Sequence, residues 1–171
     1  MKQIMETERL FLRELIPSDT NELFKILGDE ESMKYYPRPL NKEEVEIWIK
    51  RNIKSYKDNG FGLWAVVSKN DNLFLGECGI TLQNIDGELL PELGYHINKC
   101  FCNNGYASEA AKECIKYAFD TLELKTLYSY TNIDNVPSIL VAKKNGMKYI
   151  KRFKKKVLGE IVDEVLYSIN R

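Results

Sequence analysis

The chain has 171 residues, a length that favours one domain spanning 1–171 and that suffices for a well-buried core. Its composition is globular, 44% hydrophobic and 29% charged, and 25 Lys and Arg balance 25 Asp and Glu, which argues against a protein that coats nucleic acid or a membrane surface. No apolar run approaches the roughly 18 residues needed to cross a bilayer, and the opening "MKQIMETERL" has no signal-peptide core, so a cytoplasmic protein is expected.

Strand-like alternation runs from Thr7 to Leu15, and "IPSD" stops it, offering Ser18 or Asp19 as a helix N-cap. Leu23, Ile26 and Leu27 recur at helical spacing, and a second short helical turn is expected beyond Gly28. Pro37 and Pro39 mark a break. A longer helix follows from an Asn41 cap, through Val45, Trp48, Ile49 and Ile53, to a stop at Gly60. The period then changes to that of strands. "FGLWAVVS", "LFLGECGITLQ" and "LLPELGYHI" read as an antiparallel meander, with Asp86-Gly87 as a hairpin turn and Pro91 predicting a bulge or an unpaired stretch.

The next helix carries Ala111, Cys114 or Ile115, Ala118 and Leu122 on one face. "KTLYSYT" is a strand. Asn135 caps the following helix, Pro137 sits in its first turn and Gly146 ends it. "KYIKRF" and "EVLYSIN" close the chain as two strands joined around Gly159. The reading is an α+β fold with a mixed, mostly antiparallel sheet of about seven strands and about four helices. Exposed edges on the closing strands leave room for a homodimer.

The cysteines Cys78, Cys100, Cys102 and Cys114 form no CxxC pair, and His96 is the single histidine. Four reduced, mostly buried thiols and no metal site are therefore expected. The basic-aromatic stretch "KYIKRFKKK" reads as a solvated strand face, so no nucleic-acid partner is expected.

The junction "CFCNNGYASEAAKE" holds the chemistry. The first N–H groups of a helix lack internal partners, and the helix dipole adds positive potential there. Glycine permits close approach of the backbone, and asparagine tolerates left-handed φ. Asn103, Asn104, Gly105 and Tyr106 therefore could aim N–H groups at a pyrophosphate, with small Ala107 and Ala110 keeping side chains clear. From local chemistry alone, the same residues also serve as a plain strand-to-helix turn.

Context favours the cradle. Cys102 to Ala107 resembles the Arg/Gln-x-x-Gly-x-Gly/Ala motif of the GNAT acetyltransferase superfamily, and "GYASEA" resembles the "GYATEA" of its ribosomal-protein N-terminal acetyltransferase branch. "TERLFLREL", "PELGYHI", "DNVPSILVAKKNGM" and "DEVLYSI" resemble further segments of that branch in the expected order. Departures are Cys102 for Arg or Gln, Asn103 for Gly, Lys143 for Glu and Met147 for Phe.

The resemblance implies acetyl transfer from acetyl-CoA to a primary amine, either a protein N-terminus or a small molecule, without a metal. It implies a splay between the fourth and fifth strands, "LGYHI" and "LYSYT". Cofactor-binding residues would be Tyr95, His96 and Ile97 through their backbone, Cys102 to Ser108 at the cradle (Cys102, Asn103, Asn104, Gly105, Tyr106, Ala107, Ser108), and Asn135 and Ser138. A backbone N–H at a bulge over Leu93 to Tyr95 would polarise the thioester carbonyl. Glu92 is the first candidate base, Glu77 the reserve, and Ser138 the proton donor to sulfur. Glu92 also reads as an orienting strand residue, Asn135 as a cap and Ser138 as a first-turn residue. Tyr35, Tyr36 and Trp64 read either as acceptor pocket or as core. A positive cradle would favour the Cys102 thiolate. Two other readings remain: a non-catalytic acetyl-CoA sensor, and an α+β interaction module without ligand.

Overall fold

The computed structural model of the protein describes residues 2–171. Its elements are β1 (Gln3–Glu6), β2 (Leu10–Glu14), α1 (Thr20–Leu27), α2 (Lys42–Asp58), β3 (Leu63–Ser68), β4 (Phe74–Ile85), β5 (Glu88–Ile97), α3 (Tyr106–Asp120), β6 (Thr126–Asn132), α4 (Val136–Lys144), β7 (Lys148–Val157) and β8 (Glu160–Asn170). The strands form one sheet in the order β1-β2-β3-β4-β5-β6-β8-β7. Every pairing is antiparallel except that of β5 with β6, which consists of one register pair, Glu92 with Tyr128.

The strand expected from Thr7 to Leu15 forms as β2, beginning only at Leu10, and a further strand, β1, precedes it. Thr7 bonds Leu10 twice, its N–H donating to the Leu10 carbonyl at 2.8 Å and its Oγ1 accepting from the Leu10 N–H at 2.9 Å. That turn brings β1 back along β2, which raises the strand count to eight. Asp19 precedes α1 without capping it through its side chain. Its carboxylate accepts instead from Arg13 Nη1 and Nη2, each at 2.7 Å, and from the Ile16 N–H at 2.9 Å, in a pair that is almost wholly buried. Beyond Gly28 the expected short helical turn forms, with Met33 N–H donating to Asp29 O, and a further turn follows in which Tyr36 N–H donates to Met33 O. Asn41 caps α2 as expected, in a reciprocal box with Glu44.

Pro91 causes no bulge. The β4–β5 ladder is continuous from Gly76 opposite Ile97 to Ile85 opposite Glu88, with Pro91 opposite Leu82. A proline fits an unbroken ladder only where the missing N–H would face away from the partner, and on that side β5 meets β6 just once. The hairpin itself turns on Asp86 and Gly87, both at positive φ (52° and 88°), as a two-residue turn requires.

Strand parity sets the layers. Every residue of β3 is buried: Trp64 and Val66 join the core beneath α3 and α4, while Ala65 and Val67 join that beneath α1 and α2. Trp64 is therefore core, edge-on to Tyr117. A third cluster, of Ile85, Phe153 and Leu166 with Leu90, Tyr128 and Tyr130 packed against it, joins the β4–β5 and β7–β8 hairpins. Cys78 and Cys114 are buried with their sulfurs 3.6 Å apart, whereas Cys100 and Cys102 are exposed, contrary to the expectation that most thiols are covered.

Candidate active site

The site begins where β6 leaves β5. Ser129 Oγ donates to the Leu93 carbonyl at 2.9 Å, so Leu93 faces β6 with its main chain, while the Asn98 N–H donates to Leu75 O on β4. Main-chain groups alternate along a strand. Leu93, Tyr95 and Ile97 consequently turn N–H and C=O toward β6, and no β6 residue pairs with β5 beyond Glu92. The result is an open strand edge, the kind that an extended ligand completes. His96 faces the other way: its carbonyl stands 2.0 Å from where a Cβ on Gly76 would lie. Its backbone is thus turned from the gap, unlike those of Tyr95 and Ile97. No register shift interrupts the ladder at Leu93 to Tyr95, so the expected bulge is absent and the opening comes from the departure of β6.

The cradle closes one end of this gap. Asn103 and Gly105 are both left-handed, at φ 64° and 81°. Among the described residues, no protein acceptor pairs with the N–H groups of Asn103, Asn104, Gly105, Tyr106, Ala107 or Ser108, and the first intrahelical bond there is Glu109 N–H to Gly105 O at 3.0 Å. The Asn104 side chain donates to the carbonyls of Phe101 and Cys102 at 3.1 and 3.2 Å. Six free donors at the positive end of a 15-residue helix suit a diphosphate. The Cys102 thiol contributes no charge to this. Its Sγ lies 3.7 Å from the carbonyls of Ile97 and Asn98, and burial followed by the neighbouring Cys100 pushes its pKa up, opposite to the favoured thiolate expected from position alone.

Across the gap, on the β6 side, stands the start of α4. Asn135 Oδ1 accepts from the Ser138 N–H at 3.2 Å, a helix cap. Ser138 Oγ donates to the Tyr95 hydroxyl at 3.1 Å, and that hydroxyl donates to Ser138 O at 2.9 Å. The Tyr95 side chain thus ties β5 to α4 across the gap, and burial pushes its pKa up.

Glu77, Glu92 and His96 project from the opposite face, toward α1 and α2. Gly94 lacks a side chain, and the Glu92 carboxylate lies over it, 3.3 and 3.6 Å from the position a Cβ would occupy. Glu92 accepts from Thr81 Oγ1 at 3.1 Å and is 6% exposed. Burial pushes its pKa up to about 8, against the hydrogen bond from Thr81, and Glu164 on β8 raises it further. Glu164 is itself pushed up to about 7 by burial, and its Oε2 is buried without a partner among the described residues. Lys155 sits 4.9 Å over the Tyr130 ring and donates to Asn84 O at 2.7 Å.

Glu77 is wholly buried and accepts from Trp48 Nε1 at 3.1 and 3.0 Å and from His96 Nδ1 at 3.0 Å. A carboxylate only accepts, which places the proton on Nδ1 and leaves Nε2 to accept from the Tyr36 hydroxyl at 2.7 Å. A chamber of about 100 Å³ adjoins this chain, walled by Leu27, Met33, Leu40, Trp48, Val157 and Leu158, with Tyr36 and His96 on its polar side. A wider hollow of about 420 Å³ lies between the β1–β2 and β3–β4 turns and Tyr106 at the start of α3. Tyr36 lines the smaller chamber, and Tyr35 is not among its walls. Sequence reasoning missed Trp48, read only as an apolar helix residue, and Glu164, read only as part of a strand.

An open strand edge, a cradle of free amides and a carboxylate beside the splay define an acyl-transfer fold. Residues 9–148 match the family described as Acetyltransferase (GNAT) domain. The chain is 34% identical over 155 residues to the uncharacterized protein YkkB of Bacillus subtilis, covering 90% of each, and 30% identical over 166 residues to the uncharacterized N-acetyltransferase YnaD of the same organism, covering 95% of this chain and 94% of that one. An acetyl transferase of Salmonella typhimurium, described as modifying the N-terminal serine of ribosomal protein L7/L12, shares the fold with a TM-score of 0.83 at 16% identity, covering 99% of both chains. The chain belongs to the GNAT family and is an acetyl-CoA-dependent acetyltransferase. Among the described residues, no helix is long and apolar enough to cross a membrane.

Proposed function

We propose that the chain transfers acetyl from acetyl-CoA to a primary amine by direct attack in a ternary complex, in the cytoplasm. The carrying observation is the parity of β5: Tyr95 and Ile97 offer main-chain pairing to the cofactor arm, while Glu92 lies over Gly94 on the acceptor face, one residue from the splay. Acetyl-CoA supplies the activated thioester. The amides of residues 103 to 108 hold the diphosphate, and the N–H of Tyr95 polarises the acyl carbonyl.

The acceptor nitrogen needs a free lone pair, and amines of pKa near 10.4 arrive protonated. Glu92 takes that proton, and the freed lone pair attacks the acyl carbon as the C–S bond breaks. The second proton left on nitrogen passes to the departing thiolate, with the Tyr95 and Ser138 hydroxyls as the proposed relay. The apolar chamber favours an acceptor with a compact apolar group beside its amine, since each buried methylene is worth about 0.8 kcal/mol. The outer strands β1 and β7 leave edges consistent with a dimer, which sedimentation tests.

The deciding experiment is a turnover screen with acetyl-CoA across small amines and N-terminal peptides, read as free thiol. Release of thiol dependent on an amine is expected. Thermal stabilisation by coenzyme A with no turnover on any acceptor would instead mark a sensor, and no heat of binding would mark an interaction module.

A further inference from the structure

The turn between β1 and β2 reaches the cradle through one side chain. Arg9 Nε donates to Glu109 Oε2 at 2.7 Å, Nη2 lies 2.6 Å from the same oxygen, and Nη1 donates to the Asn104 carbonyl at 3.0 Å. The Arg9 N–H and Thr7 Oγ1 both donate to Glu109 Oε1, at 3.0 and 2.5 Å. The guanidinium stacks 4.5 Å from the centre of the Tyr106 ring. Although burial works against it, these donors hold the Glu109 carboxyl below its ordinary pKa. Glu109 therefore pairs with Arg9, and protein acceptors take an N–H from each of its three nitrogens and hold the guanidinium in place.

The consequence lies in the peptide between Asn104 and Gly105. It is trans, so its carbonyl and N–H point in opposite directions. Arg9 grips the carbonyl and thereby aims the Gly105 N–H the other way. Gly105 alone would leave this plane free to rotate, because glycine admits both signs of φ. The Tyr106 ring and Glu109 carboxylate, held by the same side chain, fix the first turn of α3 behind it.

We infer that Arg9 is a positioning residue: it orients the cradle amides for a diphosphate that it does not itself bind. The inference rests on the cofactor reading above and deepens it. Because a main-chain donor to a charged group is worth roughly ten- to hundredfold in affinity, misaiming it should cost a similar factor, and only for ligands that carry the diphosphate.

The test compares dissociation constants of dephospho-CoA and of pantetheine, which lacks the diphosphate and nucleotide, for wild type, Arg9→Met and Arg9→Lys. Lysine keeps a charge for Glu109 but lacks the planar fork that also reaches Asn104. Wild type should bind dephospho-CoA much more tightly than pantetheine. In both variants that preference should fall roughly tenfold or more, with pantetheine affinity unchanged and, in Arg9→Lys, the melting temperature near wild type. An unchanged preference in Arg9→Lys, or an equal loss for both ligands, overturns the inference. A wild-type protein that fails to prefer dephospho-CoA refutes the cradle itself, a distinct result.

Discussion

Replacing Glu92 by Gln separates the proton chemistry of this site from its architecture. The isostere keeps the Thr81 hydrogen bond and the volume over Gly94 but does not ionise. In the wild type, burial raises the carboxyl from 4.5 to about 8. A carboxyl raised in this way contributes stability that is fully present below about pH 4.5 and is lost as pH climbs through about 8. At about 1.36 kcal/mol per pH unit, the loss is on the order of 5 kcal/mol. For a chain of this size, 1 kcal/mol moves the melting temperature by about 2–4 °C. The melting temperature of Glu92→Gln should therefore gain on wild type by roughly 10 °C between pH 5 and pH 9.

Activity should move in the opposite sense. Glu92 must be ionised to accept a proton, so kcat/KM should rise with pH through a limb near 8, measured with an acceptor whose own pKa exceeds 10 so that the two ionisations are distinct. In Glu92→Gln that limb should vanish and kcat/KM should fall about 10²–10⁴-fold. Differential melting curves and thiol-release rates across pH check both halves. Parallel melting curves, or a variant that keeps its limb and more than about a tenth of its activity, would refute the assignment.

Glu164→Gln removes a like charge from the neighbourhood of Glu92, so the limb should move to lower pH but stay above 4.5, because burial is the larger cause. Rates across the same pH series measure it. His96→Gln removes the imidazole that links Tyr36 to Glu77 and with it the Nδ1 donor to the buried carboxylate; a loss of about 1–3 kcal/mol is expected by denaturant unfolding, with the limb near 8 retained. A limb lost in His96→Gln and kept in Glu92→Gln would move the base to the histidine. Asp19→Ala strands the buried Arg13 guanidinium and should cost about 3–5 kcal/mol in the same unfolding assay, with no change in the limb.

Much of this was legible in the residues, and the illegible parts have identifiable causes. The Asp86-Gly87 turn fixes the hairpin register, so that Ile85 opposite Glu88 also sets Thr81 opposite Glu92 and Glu77 opposite His96. Periodicity of two then puts Glu77, Glu92 and His96 on one face, a deduction available from the turn alone. The cradle was readable because left-handed Asn103 and Gly105 follow from residue type. The turn at Thr7 and the extra strand before it were not, since Thr7 makes that turn through its own side chain inside an alternating pattern. Asp19 looked like a cap because its competing partner, Arg13, lies on the preceding strand. Trp48, Tyr36 and Glu164 reach the site from three elements far apart in the chain, and no local pattern announces such convergence.

The division of labour along β5 also explains why that strand tolerates so little freedom. Tyr95 and Ile97 turn their main chains to the open edge while Glu92 and His96 project from the opposite face, so a slip of one residue would exchange the two sets. Several contacts oppose that slip. A Cβ on Gly76 would meet His96 O at 2.0 Å, so a residue with a side chain could not take the place of Gly76 opposite His96. Pro91 removes a donor that any odd shift would need for the β4 ladder. Ser129 ties the Leu93 carbonyl to β6 at the point of departure. The register that places Glu92 beside the splay is thus held by glycine, proline and serine, residues that carry none of the chemistry themselves.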